Sequence, residues 1–167
     1  NGGTFIHSGG EIGKLSSAPN TAVNGAGLYM NGGTYTSSGG YFNGNTASDK
    51  GGGIYMNGGK CEFTGGKLGF NTTTMRNTAV YGGGLYMASS AKANPEFYMK
   101  SSDSYIRGNQ ATTNGGAIYM ENGTCEISAG NIGDSDNPNN ATNGGGIYAN
   151  GGTITVKGGY VQYNTAT

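Results

Sequence analysis

The chain has 167 residues, enough for one ordinary domain, and its nine basic and nine acidic side chains leave no net charge. Only two of the cations are arginine, Arg76 and Arg107, so neither a nucleic-acid stripe nor a basic patch for an anionic membrane is present. Glycine fills 36 positions, but with three prolines and no Gly-X-Y period collagen is excluded, and no apolar run reaches the length of a membrane helix.

The chain opens on a short strand carrying Phe5 and His7, then Gly-Gly and Glu11-Ile12-Gly13. From Gly25 it becomes periodic. Gly25-Ala26-Gly27-Leu28-Tyr29-Met30 recurs from Gly51, Gly82, Gly115 and Gly144, at spacings of 26, 31, 33 and 29 residues. Repeats of this length form solenoids, because one unit cannot bury its own apolar face. Each unit reads as three short strands. The first is Gly-Gly-Ile/Leu-Tyr-Met. After Asn-Gly-Gly comes the second, as in Thr34–Ser37, Lys60–Phe63, Thr124–Ile127 and Thr153–Val156. After a further Gly-Gly comes the third: Tyr41-Phe42, Lys67-Leu68, Tyr105-Ile106, Asn131-Ile132 and Tyr160-Val161. Tight corners of Gly and Asn join them, since corners need positive φ and no bulk. The pattern predicts an all-β fold, a right-handed parallel β-helix of about six rungs of three short strands, filling residues 1–167 as a single β-solenoid domain.

Alternation assigns the faces. On the first strand Leu28, Ile54, Leu85, Ile118 and Ile147 point inward, as do Met30, Met56, Met87, Met120 and Ala149. The intervening Tyr29, Tyr55, Tyr86, Tyr119 and Tyr148 point outward. On the second strand Phe5, Tyr35, Cys61, Cys125 and Ile154 form one inward column, and Phe63, Phe97, Ile127 and Val156 the next. Alternate rungs carry longer loops ending in Asn20, Asn77 or Asn140, which makes the repeating unit a double rung: about 1–50, 51–114 and 115–167.

Gly-Gly-Ala-Ile (Gly115 to Ile118) and Phe-x-x-Asn (Phe42 to Asn45) resemble the repeat signature of polymorphic outer-membrane proteins, and of Gly-rich adhesin-like β-helices. The resemblance implies adhesion or surface display and supplies no catalytic residues.

The outward Tyr column is the most suggestive surface feature, as a contact stripe for a glycan or another protein. Its alternative role is to stiffen the sheet by self-stacking. Asn45, Asn71, Asn109, Asn140 and Asn164 recur after the third strand and are expected to form a structural ladder of amides along the axis. Sequons fall at Asn71, Asn122 and Asn140. Cys61 and Cys125 share a column two rungs apart, about 9.6 Å, too far for a disulfide, and read as buried thiols. Asp134-Ser135-Asp136-Asn137 has the look of a calcium loop but lacks the later Glu, and Pro138 breaks it as a solvated turn.

No metal, cofactor or catalytic set is expected. The acidic residues are scattered, so a carbohydrate-active enzyme is disfavoured, and charges at Lys60, Glu62 and Glu126 interrupt the threonine array an ice-binding face would need. The reading is a non-enzymatic extracellular or cell-surface solenoid, structural and adhesive, with a carbohydrate-binding or carbohydrate-active β-helix as the alternative. With no starting Met or signal peptide, the sequence reads as a mature product or a segment of a longer chain. Its expected partners are copies of itself stacked head to tail, forming a filament, or further rungs of a parent chain, with a glycan or surface protein as ligand.

Overall fold

Identical residue types a full repeat apart end up side by side. In a computed structural model, which describes residues 2–13, 18–70, 72–90 and 93–167, every strand pairing is parallel and joins each strand to its equivalent in the next turn. The chain is therefore a β-solenoid. Five complete turns follow a partial one, and the only helix among the described residues is the short 3-10 segment Thr73–Met75.

Each turn has four strands, not three. The first sheet stacks Leu28–Met30, Ile54–Met56, Leu85–Met87, Ile118–Met120 and Ile147–Ala149. The second stacks Thr4–His7, Thr34–Ser37, Lys60–Phe63, Glu96–Met99, Thr124–Ile127 and Thr153–Val156. The third stacks the two-residue strands from Glu11–Ile12 to Tyr160–Val161. The fourth runs through what the sequence presents as loops: Asn20–Asn24, Asn45–Lys50, Thr78–Tyr81, Gln110–Asn114, Asn140–Ala141 and Thr165–Ala166. Its inward column is alanine, with Ala47, Ala79, Ala111 and Ala141 all buried. Alanine carries too little apolar contrast to mark a strand, so the element was hidden.

The main core is the narrow column between the sheets. Ile54, Leu85 and Ile118, Met56, Met87 and Met120, and Phe42, Leu68, Ile106 and Ile132 pack there without solvent contact. Each such side chain contributes about 1.5–3 kcal/mol of burial. One column differs from expectation. Phe97 pairs with Cys61 on one side and Cys125 on the other, and Met99, not Phe97, continues the Phe63 column to Ile127. Phe97 thus separates the two thiols, and both are free and buried. Burial raises the Cys61 thiol well above its ordinary range and pushes Cys125 up to about 12.

Glycine is required where the fourth sheet turns into the first. Gly82 adopts φ +64°, and a Cβ on the next residue, Gly83, would lie 2.4 Å from the Gln110 carbonyl oxygen of the following turn. Successive turns meet at this corner backbone to backbone.

Candidate functional site

The five tyrosines of the first sheet lie outside the main core and stack on one another. Ring centroids are 4.8 Å apart for Tyr29 and Tyr55, 5.4 Å for Tyr55 and Tyr86, 4.8 Å for Tyr86 and Tyr119, and 5.2 Å for Tyr119 and Tyr148. The Tyr86 and Tyr119 rings are within 2° of parallel. Their faces are therefore occupied by neighbouring rings, and such pairing stabilises the sheet directly. The column is also not uniformly exposed. Tyr29 is 52 % exposed and Tyr55 and Tyr148 are half-buried, whereas Tyr86 and Tyr119 are buried with Ala88 in a second apolar cluster. An open stripe of five phenols is not what the chain presents.

The cover comes from the fourth sheet and from Glu121. Tyr81 stands edge-on to Tyr119 at 5.6 Å, and the Lys50 ammonium lies 5.2 Å from the Tyr86 ring centroid. The Tyr86 hydroxyl donates to Glu121 Oε1, and the Ser89 N–H donates to Oε2 at 3.0 Å. Burial, then the bond to this carboxylate, raises the Tyr86 phenol far above its ordinary range. A polar cleft of about 340 Å³ remains, lined by Lys50, Tyr81, Tyr86, Asn114, Tyr119 and Glu121. Sequence reasoning missed it, because Lys50, Tyr81 and Asn114 occupy equivalent register positions at the end of the unrecognised fourth strand.

A ladder of asparagines occupies the start of the fourth sheet. Asn20 donates to Asn45 Oδ1 (2.9 Å), Asn45 to Asn77 (2.8 Å), Asn77 to Asn109 (2.8 Å), Asn109 to Asn139 (2.9 Å) and Asn139 to Asn164 (2.9 Å). The same amide nitrogens also donate to third-sheet carbonyls: Asn45 to Ile12, Asn77 to Phe42, Asn109 to Leu68, Asn139 to Ile106 and Asn164 to Ile132. Asn45, Asn77, Asn109 and Asn139 are fully buried. Two expected positions are replaced. Asn139 rather than Asn140 holds the rung, Asn140 being the half-buried strand residue beside it, and Asn77 fills the place assigned to Asn71. Asn71 itself lies outside the described residues.

This arrangement gives the two sequence motifs a common physical cause. A Cβ on Gly27 would fall 2.8 Å from Phe42 Cδ1 and 3.1 Å from Asn45 Nδ2. A Cβ on Gly84 would fall 3.1 Å from Asn109 Nδ2. The Phe and Asn of one motif are seated against the small residue of the other.

The remaining candidates are structural in their contacts. Asp134 Oδ2 takes the Arg107 guanidinium at 2.6 Å, and Oδ1 accepts the N–H groups of Asp136 and Asn137. Burial opposes ionisation, but Arg107 and Asn137 outweigh it and hold Asp134 below the usual carboxylate range. Among the described residues no cluster of three potential metal ligands occurs. On the outer face of the second sheet Glu62 is paired with Lys100 (2.5 Å) and Lys60 (2.9 Å), which lower its pKa, and Glu126 with Lys157 (2.8 Å).

Comparison with known proteins fits this geometry. Two segments, residues 39–57 and 103–121, match the Chlamydia polymorphic membrane protein repeat. Each runs from the third sheet through an Asn rung, Asn45 or Asn109, and the glycine corner into the first sheet. Their starts are 103 − 39 = 64 residues apart, two turns of the solenoid. Neither the curated proteins nor the solved structures yield a match. The chain is thus a β-solenoid, two segments of which are similar to the Chlamydia polymorphic membrane protein repeat.

Proposed function

We propose that the chain is a non-enzymatic, surface-displayed adhesive solenoid. The observation that carries this is the pair of polymorphic membrane protein repeats, which imply a surface or adhesin-like β-helix. The buried ladder and core give a rod stiff enough to hold contact residues away from a cell. The carboxylates support the non-enzymatic part: Glu62, Glu126 and Asp134 are each held in ion pairs, and Glu121 accepts from Tyr86 and Ser89. None is positioned as a protonated general acid.

Stacking on further turns belongs to the same reading. Among the described residues the large apolar side chains with substantial exposure are Phe5, Ile6, Val23 and Tyr29 at one end and Val156, Tyr160, Val161 and Tyr163 at the other. Between them the described turns bury theirs. End turns of this kind suit continuation by a longer parent chain or by a second copy.

Beads coated with the purified chain test adhesion. Retention on epithelial cells under flow, competed by soluble chain, is the expected result, and retention no better than for beads coated with serum albumin refutes the proposal. Sedimentation over a range of concentrations separates the two kinds of stacking, since a copy-on-copy filament grows with concentration and a parent-chain rung does not.

A further inference from the structure

The cleft between the end of the fourth sheet and the tyrosine column has no assigned role. Its groups are oriented by the fold. Lys50, Tyr81 and Asn114 occupy the same register position on three consecutive turns, immediately before the glycine corner. Tyr86, Tyr119 and Glu121 stand on the far side of that corner. Because Gly51, Gly82 and Gly115 carry no side chain, the corner is bare and the two walls face each other across it.

The unused bonding capacity of these walls is specific. The Lys50 ammonium has no carboxylate partner among the described residues and lies over the Tyr86 ring. The hydroxyls of Tyr81 and Tyr119 make no hydrogen bond there. Asn114 accepts from Asn143 at 2.8 Å through Oδ1, which leaves its amide nitrogen free to donate. Glu121 is fixed in place by Tyr86 and Ser89, and each of its oxygens keeps a further lone pair. The cleft therefore offers one cation, an amide donor, two phenols that donate and accept, and one anchored carboxylate acceptor.

That set is complementary to a polyhydroxylated ligand that also carries one negative charge. Hydroxyl groups both donate and accept, so they satisfy Tyr81, Tyr119, Asn114 and Glu121 together. A carboxylate satisfies Lys50 with a charge-assisted bond. A flat sugar face stacked on the central tyrosines is excluded by the ring-on-ring packing, so recognition here is by polar edges. The volume of about 340 Å³ lies at the small end for ligand sites and suits a single pyranose with its substituents.

We propose that this cleft binds an acidic sugar residue, a uronic or sialic acid unit of a glycan, with its carboxylate on Lys50 and its hydroxyls on Tyr81, Asn114, Tyr119 and Glu121. The inference rests on the adhesive reading for its purpose, not for its geometry.

Titration of the purified chain with free glucuronate, followed by amide shifts in NMR, is the direct test. The size of the probe places its Kd near about 1 mM. Shifts are expected at the corner residues Gly51, Gly82 and Gly115. Glucose, which lacks the carboxylate, should bind at least about tenfold more weakly, the loss of one charge-assisted contact. Lys50→Met removes the ammonium that lies over Tyr86 and should erase the preference for glucuronate while leaving the circular dichroism spectrum unchanged. Tyr81→Phe should weaken glucuronate and glucose alike. No saturable shifts with glucuronate, equal response to acetate, or unchanged glucuronate affinity in Lys50→Met would each overturn the proposal. The coated beads separate it from the broader reading. Beads that hold equally well with Lys50→Met overturn this site and leave adhesion standing. Beads that fail to hold, from a chain that binds glucuronate, overturn adhesion and support the site.

Discussion

Replacing Asn109 by alanine tests the ladder at its centre. The side chain makes three bonds: it donates to Leu68 O at 3.0 Å and to Asn139 Oδ1 at 2.9 Å, and it accepts from Asn77 Nδ2 at 2.8 Å. The change strands one group, the Asn77 N–H that donated to Asn109 Oδ1, and the partners otherwise keep a bond. Asn77 still donates to Phe42 O, Leu68 O still accepts from the Arg107 N–H, and Asn139 Oδ1 still accepts from the Asn109 N–H. The loss is then at least the net worth of the bonds, about 1 kcal/mol each and about 3 kcal/mol together. For a chain of this size that corresponds to roughly 6–12 °C in Tm. Asn140→Ala, whose half-buried side chain makes no such bond, should stay within about 0.5 kcal/mol. Guanidinium unfolding followed by far-UV circular dichroism measures both, read as a shift in midpoint at constant slope. If Asn109→Ala is as mild as Asn140→Ala, or Asn140→Ala as severe as Asn109→Ala, the assignment of the rungs is wrong.

Three further outcomes follow from the packing. Cys61 and Cys125 should resist alkylation at pH 8 in the native chain and react together once it is unfolded, because burial keeps both as neutral thiols; mass spectrometry of the labelled protein checks this. Gly83→Ala should destabilise by at least about 2 kcal/mol, since its Cβ would sit 2.4 Å from the Gln110 oxygen, whereas Gly3→Ala meets nothing within 4 Å and should be silent in the same denaturant assay. Asp134 has a lower pKa folded than unfolded, so its contribution is present above the ordinary value near about 4 and fades as pH falls through the folded value. Acid titration of stability should accordingly show a shallower fall below about pH 4 in Arg107→Met than in the parent.

Three of the four sheets are legible in the sequence because Ile, Leu, Met and Phe at alternate positions contrast with Gly corners. The fourth is not, because its inward residues are Ala47, Ala79, Ala111 and Ala141 between threonines and asparagines. That omission hides the cleft, half of whose lining hangs from the unread strand. Alternation places the tyrosines outside the main core, but it does not encode the tilt of their rings or the reach of Tyr81 and Glu121 over them. Asn45, Asn109 and Asn164 stand at a regular spacing from the third strand, which makes them visible in the sequence. Asn139 and Asn140 are adjacent amides in a loop of irregular length, and only the hydrogen-bond geometry decides between them.

The asparagine ladder also makes the solenoid electrically polar. Backbone bonds run both ways along the axis, as Lys60 N–H donates back to Gly33 and Leu28 N–H forward to Gly53, so the dipoles of the sheets largely cancel. The side-chain amides do not alternate. From Asn45 to Asn139 each sends one N–H to the asparagine of the later turn and accepts at its oxygen from the earlier one, while its second N–H is spent on a third-sheet carbonyl. Bonded head to tail in a dry interior, the amides polarise one another, by about 10–30 % per bond. The late end of the column is therefore positive and the early end negative. A further turn that extends the column in the same sense offers an oxygen to the Asn164 N–H now held by the Gln162 carbonyl, and one that arrives reversed meets like with like.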